Sequence, residues 1–416
     1  MDKIYLCIDL KTFYASVECV ERGLDPFKTD LIVADPSRAR GAICLAITPK
    51  MKERGIKNRC RVYEIPKDIH PIVAKPRMKK YIEYSVRIYQ IYLKYVSKDD
   101  IHPYSIDEVF MDITNYLHLY KKNPIDIAKM IMKDIYDTTG ITATAGIGTN
   151  LFLAKVALDI KSKHVDSNIG IFDEESFQKE MWHHLPITDF WQISYGTEAR
   201  LHKLHLRDLY DVAHCNPKIL YKEFGVNALY LIDHSWGRES CTIEDIKKYK
   251  PKSNSLSNSQ ILYRDYNYKE ARIVLAEMID NLVLQLVSVG MCTNNLSFYI
   301  GYSKDVIRPV ACSFKVEDTS SYKTILNRIL EEYDYRINEG VPIRRIGLSF
   351  NNIHVLKYEQ MNLFSNNDTI RDNKLETTIL EIKNKYGKNS ILRGISYLDE
   401  ATQIDRNRLI GGHNAE

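Results

Sequence analysis

Residues 101–114 read IHPYSIDEVFMDIT, two apolar halves on either side of the consecutive acids Asp107 and Glu108. The alternation predicts a β-hairpin with these acids at or near its tip. Such a pair is an awkward choice for a plain turn between two apolar strands. A further acid, Asp9, closes KIYLCID (3–9), a short apolar run that reads as a buried strand. If the two strands are neighbours, three carboxylates meet at one sheet edge, where they repel and raise one another's pKa. Hard, oxygen-seeking cations such as Mg²⁺ relieve that repulsion. Two such ions about 3.5–4 Å apart can clamp the attacking and leaving oxygens of a phosphoryl transfer. Taken singly, each acid reads more readily as a solvated turn residue.

Outward from this pair, the first 165 residues alternate strands and helices around an α/β or α+β core. Thr12 is a candidate N-cap for FYASVECVERG, which stops at Gly23. LIVAD (31–35) and GAICLAI (41–47) read as strands and PKMKERGIK (49–57) as a short basic helix. A long helix is predicted from Met78 to Val96, and an amphipathic one over 124–140. ITATAGIG (141–148) reads as a strand and TNLFLAKVALDIKSK (149–163) as another helix. Residues 185–235 are helical in pattern, and KKYKPKSNSLSNSQ (247–260) is the best linker. A second α+β module follows, with helices over 270–290 and 322–335 and strands over 295–302 and 343–353. Beyond 360 the chain is polar and Asn-rich, with one helical stretch near 373–386.

The composition excludes several classes. With 44% hydrophobic and 27% charged residues the chain is an ordinary globular protein, neither disordered nor fibrous. No run approaches about 18 apolar residues, so no membrane span is expected. The opening MDKIYLCIDLKTFY does not read as a signal peptide, and a cytoplasmic location is expected. The net charge of +4 names no partner. Its distribution says more: Ser37–Lys80 carries 13 Lys/Arg against 3 Asp/Glu, locally +10, as a polyanion partner or a solvated surface would have it. Eight cysteines include no C-x₂₋₄-C pair, so no zinc site is expected and free thiols are the default.

Other motifs are weaker. Phe13 and Tyr14 are helix core or, beside a bound nucleotide, rings that exclude a 2′-hydroxyl. Gly146-x-Gly148 before a helix could cradle a phosphate, but Leu151 stands where a dinucleotide fingerprint needs its third glycine. Lys155 and Lys161 are phosphate partners or a solvated face. Ile193-Ser194-Tyr195-Gly196 resembles a helix-hairpin-helix turn that would grip DNA backbone, with Gly196 its one glycine. Gln360-Met361-Asn362-Leu363-Phe364 is a short docking motif, or a tail that packs on its own body.

Three of these segments, in order, resemble the motifs of the Y-family (translesion) DNA polymerases. They are Ile8–Glu18 (IDLKTFYASVE), Tyr104–Asp112 (YSIDEVFMD) and Gly146–Ala157 (GIGTNLFLAKVA). The ending Arg406–His413 resembles the Gram-positive branch related to the polymerase V catalytic subunit. The resemblance covers about 1–355 and implies an α+β right-hand polymerase with a mixed or antiparallel palm sheet, small fingers, a helical thumb and a separate α+β little finger. The implied boundaries are palm 1–20 and 75–165, fingers 21–74, thumb 166–245 and little finger 246–355, then a tail over 356–416. It further implies catalysis by Asp9, Asp107 and Glu108, with these acids and Leu10 holding two Mg²⁺. Tyr14 takes the steric-gate position with Phe13 beside the sugar, and Thr48, Lys52 and Lys161 are placed at the dNTP. Gly196 is placed on DNA, and Gln360, Met361, Leu363 and Phe364 on the bacterial sliding clamp. The implied partners are primer–template DNA, dNTP and clamp, with the chain a monomer and no membrane contact. The implied function is low-fidelity, template-directed translesion synthesis in an SOS-type response.

The departures are specific. Lys11 replaces an expected Asp or Asn, and Pro49-Lys50-Met51-Lys52 replaces Y-E-A-R, which leaves Lys52 as a point charge without an Arg fork. Either Lys161 or Lys163 stands for the family's triphosphate lysine. The rival readings are a catalytically silent DNA- and clamp-binding regulatory paralogue, and a two-metal nuclease or nucleotide cyclase.

Overall fold

The computed structural model describes residues 3–251, 254–303, 307–355 and 368–416. The chain divides into two compact units, Met1–Tyr249 with His413–Glu416, and Lys250–Gly412.

The first unit is built on a five-stranded sheet of β1 (Tyr5–Leu10), β5 (Ile101–Pro103), β6 (Glu108–Asp112), β7 (Ala143–Gly148) and β8 (Ile169–Phe172), in the order β5-β6-β1-β7-β8. All pairs are antiparallel except β7–β8. The central strand β1 is apolar on both faces because both are covered, with Leu6, Cys7 and Ile8 fully buried. Truncating Leu6 or Ile8 to alanine would cost about 2–5 kcal/mol, so the strand that carries Asp9 is firmly seated.

The helices Met78–Tyr92 and Pro124–Thr139 form where the 3.6-residue apolar spacing predicts, and Gly140 ends the second at φ 70. The helix predicted over 149–163 is shorter. It runs as an α-helix over Leu151–Val156, then as a π-turn over Ala157–Lys161. The glycines of β7 have a packing cause. A Cβ on Gly146 would lie 2.1 Å from the Ala154 carbonyl oxygen, and one on Gly148 2.3 Å from the Ala154 nitrogen. The helix sits directly on the strand, so these glycines admit a neighbouring backbone and make no phosphate cradle.

A small three-stranded sheet, ordered β3-β2-β4, joins β2 (Leu31–Val33), β3 (Ala46–Ile47) and β4 (Ile72–Ala74). Short helices over 174–235 pack around Phe177, Phe190, Leu201 and Leu220.

The second unit has a four-stranded antiparallel sheet of β9 (Ser255–Tyr266), β10 (Thr293–Tyr302), β11 (Val310–Thr319) and β12 (Ile343–Asn351), ordered β11-β10-β12-β9. The helices Tyr268–Ser288 and Tyr322–Arg336 cover it around Leu275, Ile279, Ile325, Ile329 and Phe350. Two expectations change here. Ser255–Gln260 is the start of β9 and not linker. As an edge strand paired only with β12, β9 tolerates Ser and Asn on its exposed face. Residues 368–412 belong to this unit and are no free tail. Arg393 donates to Asp280 (2.5 Å) and Glu376 (2.6 Å), and the Thr402 N–H donates to Glu277 (2.8 Å). The segment is polar because charges, rather than apolar side chains, join it to the helix Tyr268–Ser288.

Candidate active site

The 101–114 hairpin forms as the alternation predicts, and Tyr104 N–H donates to the Glu108 carbonyl across its base (2.9 Å). Antiparallel pairing places Asp9 opposite Glu108, and Leu10 N–H donates to the Asp107 carbonyl (3.0 Å). Three carboxylates therefore share one edge of the sheet. Burial pushes the Asp9 carboxyl up to about 7, and the charges of Asp107 and Glu108 push the same way. Ser105 donates to Asp107 (2.6 Å).

Glu108 is tied down by neighbours. Lys155 donates to it at 2.8 Å and to Asp159 at 3.0 Å, and the Cys7 thiol lies 3.3 Å from Glu108. Burial alone would lower the Lys155 ammonium, but Asp159 and Glu108 offset it and hold the charge on. Lys155 is thus an internal counter-ion and not a free phosphate partner. Asp159 lies within the π-turn at Ala157–Lys161, one helical turn (i,i+4) beyond Lys155.

The chain leaves β1 through Thr12, held at φ 46 in the left-handed region, a costly conformation for a β-branched residue. That turn brings Phe13 and Tyr14 back beside the acids. Phe13 is buried, and Tyr14 stacks on Tyr81 with centroids 4.4 Å apart and planes 17° apart. Burial and the nearby Asp107 charge both raise the Tyr14 phenol. Behind it, buried Glu18 accepts from Tyr81 (2.8 Å), twice from Arg77 (2.9 Å each) and from Arg22.

The basic residues divide. Lys52 has its ammonium lowered by burial, raised by Asp9, and lowered again by Lys163 and Lys11, so these groups lie near one another. Lys161 faces elsewhere, paired with Glu180 at 2.8 Å and over the Phe172 ring at 4.4 Å. Of the two lysines left open by the sequence, Lys163 is on the side of the acids. Thr48 is fully buried and donates to the Thr29 carbonyl (2.7 Å), so its hydroxyl stays inside its own module.

In the hairpin turn the left-handed residue is Gln192, at φ 70. Gly196 is the second residue of the helix Tyr195–Lys203, and a Cβ there would meet nothing closer than 3.8 Å. The turn needs special backbone geometry at Gln192 and not at Gly196. Gln360, Met361, Leu363 and Phe364 lie outside the described residues.

The donor set suits a hard dication. It is all oxygen, and a bound cation would offset the burial and the Asp107 and Glu108 charges that raise Asp9 to about 7.

Two family models match this chain: the impB/mucB/samB family over residues 8–159 and its C-terminal domain over 253–363. A Bacillus subtilis protein that carries the name UV-damage repair protein UvrX is 31% identical over 99% of this chain and 98% of its own. DNA polymerase IV 2 of the same organism is 29% identical over 99% of each chain. The solved structure of a Y-family DNA polymerase chimera of Dbh and Dpo4 has the same fold. Its TM-score is 0.67 at 21% identity, over 85% of this chain and all of that one. With a relative above 30% identity along almost its whole length and both family domains present, the chain belongs to the impB/mucB/samB family of Y-family DNA polymerases.

Proposed function

We propose that this DNA-directed DNA polymerase performs translesion synthesis by two-metal nucleotidyl transfer within an SOS-type damage response. The observation that carries the reading is the meeting of Asp9, Asp107 and Glu108 at one sheet edge, beside a stacked Tyr14. Asp9, Asp107, Glu108 and the Leu10 carbonyl would hold two Mg²⁺. Bound there, such ions would supply a lowered pKa for the primer 3′-hydroxyl and charge neutralisation for the triphosphate and the pyrophosphate leaving group.

The remaining steps fall to side chains. Lys155 orients Glu108 and offsets part of the rise that burial imposes on its carboxyl. Lys52, Lys163 and Lys11 present positive charge to the triphosphate, with Lys163 in the role first given to Lys161. Tyr14, braced by Tyr81, closes the space a 2′-hydroxyl would need. The Gln192–Gly196 turn offers backbone N–H groups to DNA phosphate. Primer–template and dNTP are the substrates, the clamp is met through residues 360–364, and the polymerase works as a cytoplasmic monomer. No helix among the described residues is long and apolar enough to cross a membrane.

The test is primer extension on intact and lesion-bearing templates with wild type and Asp107→Ala. Lesion bypass that disappears in the variant supports the assignment. Wild-type extension that stops at every lesion refutes translesion synthesis, and an active D107A refutes the metal set. Measurable dNTP incorporation also excludes the silent-paralogue reading.

A further inference from the structure

Far along the chain from the catalytic acids, three side chains of different chemistry converge at the end of the second unit's sheet. Cys292 immediately precedes β10, Asp318 is in the last turn of pleat of β11, and His354 follows β12. Cys292 and His354 form a backbone bridge, with N–H···O distances of 2.9 and 3.1 Å in the two directions. That bridge sets their side chains next to each other: Cys292 Sγ lies 3.4 Å from His354 Nε2, and Asp318 Oδ2 lies 3.2 Å from the same nitrogen. All three donor atoms fall within 4.8 Å of one another, and among the described residues no other group of His, Cys, Asp and Glu converges so closely.

The arrangement around the imidazole decides what it can be. His354 Nδ1 lies 2.7 Å from the Asn352 carbonyl, so the neutral ring carries its proton on Nδ1. In the neutral ring Nε2 turns a lone pair toward a carboxylate oxygen and a sulfur, three electron-rich atoms facing one point; in the protonated ring Nε2–H pairs with Asp318 while the Cys292 thiol donates to the His354 carbonyl (3.4 Å), so a metal would displace both protons. A nucleophile triad does not look like this, because the base would meet the thiol through one ring nitrogen and the carboxylate through the other. A proton on Nε2 could bridge to only one of the two neighbours. A tetrahedral cation bridges all three. With Zn–S near 2.3 Å, Zn–N about 2.0–2.1 Å and Zn–O about 2.0–2.2 Å, tetrahedral angles put S···N at about 3.5–3.6 Å and N···O at about 3.3–3.5 Å. The observed 3.4 and 3.2 Å agree. The Asn352 carbonyl on Nδ1 is the kind of support that fixes a metal-binding histidine.

We propose that Cys292, Asp318 and His354 form a zinc-class transition-metal site that clips together the ends of three strands of the second unit. One thiolate, one imidazole and one carboxylate make a borderline-soft set that discriminates against Mg²⁺. Cys292 is buried, whereas the side chains of His354 and Asp318 are 38% and 46% exposed, which leaves the fourth position to water. Binding replaces the Cys292 thiol proton by the metal and releases it to solvent. The spacing of 26 and 36 residues between the ligands explains why no C-x₂₋₄-C pattern announces the site.

The probe is Co²⁺ added to the full-length, chelator-treated protein in excess Mg²⁺, followed by absorption spectroscopy, with Zn²⁺ stoichiometry as a second readout. The expected result is a thiolate-to-cobalt charge-transfer band that saturates at one ion per chain and is displaced by Zn²⁺. The Cys7 thiol also lies beside a carboxylate, Glu108, so the variant that leaves Cys7 in place separates the two sites. Cys292→Ser should abolish it. His354→Ala and Asp318→Asn, at exposed side chains that leave the fold intact, should each weaken Co²⁺ binding at least tenfold. Losing a mere hydrogen-bonded support of a ligand already costs about 10- to 100-fold. Absence of the band in wild type overturns the proposal. So does a band that survives C292S, or one that C292S removes but H354A and D318N leave unchanged, which would mark adventitious binding to a thiol.

Discussion

Glu18→Gln tests whether the buried carboxylate behind Tyr14 holds the gate in place. Glu18 is fully buried and accepts two bonds from Arg77 at 2.9 Å, one from Tyr81 at 2.8 Å and one from Arg22. Removing one partner of a buried ion pair costs about 3–5 kcal/mol. Here the arginine side chains are 32% and 36% exposed and can rehydrate, which favours the lower end, about 3 kcal/mol. At an m-value near 3 kcal/mol/M, that moves the urea midpoint by about 1 M. The three tryptophans, Trp182, Trp191 and Trp236, all lie in the first unit, so their fluorescence follows its unfolding. Burial would raise the Glu18 carboxyl, but Arg77, Arg22 and Tyr81 outweigh it and hold the group below its ordinary 4.5. A depressed carboxylate stabilises above its unfolded pKa, and that stability is lost as pH falls through the folded value. The gap between wild type and variant should therefore be constant near neutrality and shrink below about pH 4.5. Because Tyr81 carries Tyr14 by stacking, E18Q should also raise ribonucleotide incorporation. A midpoint shift under 0.3 M at pH 7 (about 1 kcal/mol), with unchanged sugar discrimination, would refute the argument.

Asp107→Ala should lower primer extension by at least about a hundredfold, since the ions it helps hold supply several kcal/mol of charge stabilisation; steady-state incorporation rates measure this. Tyr14→Ala should relax discrimination against ribonucleotides at least about tenfold while deoxynucleotide incorporation persists, read by paired dNTP and rNTP kinetics. Lys163→Ala should raise KM for dNTP about tenfold, the lower range for a charge-assisted hydrogen bond, whereas Lys161→Ala should leave it within about twofold. If the two lysines behave in reverse, the orientation of the π-turn is wrong. Gly146→Ala should prevent soluble expression or sharply lower the melting temperature, because its Cβ would lie 2.1 Å from backbone that cannot yield.

What could be read from the residues was governed by how local its cause is. The hairpin carrying Asp107 and Glu108 was legible because alternation and a consecutive acidic pair both lie within fourteen residues. The long helices were legible through their period. Strand β11 was passed over although Val310, Cys312, Phe314 and Val316 alternate inward along it, since its other face is charged and exposed. The packing of 368–412 was hidden for a different reason. Its anchors, Arg393 and the Thr402 N–H, donate to Asp280 and Glu277 on a helix more than a hundred residues earlier, and a polar composition looks the same whether it faces water or a buried counter-charge. The acids within the apolar helix Tyr268–Ser288 were the available sign, because two buried carboxylates require partners from elsewhere.

The same distinction separates the two groups of metal-binding chemistry in this chain. At the edge proposed to be catalytic, adjacency in sequence and pairing between strands bring carboxylates together, and burial with the Asp107 and Glu108 charges raises Asp9 to about 7. That arrangement stores affinity for a hard ion which must arrive with a substrate and allow product to leave. Lys155 moderates it by pairing with Glu108 and Asp159 and by easing the rise of Asp9, so that repulsion is tolerable without the site being closed. At Cys292, Asp318 and His354 the donors differ in softness and only one is anionic before metal arrives, so the fold holds them together at little electrostatic cost. A protein can thus keep an exchangeable oxygen site and a softer, strand-clipping site in one chain without competition between them. Charge density selects the ion at the first, and sulfur selects it at the second.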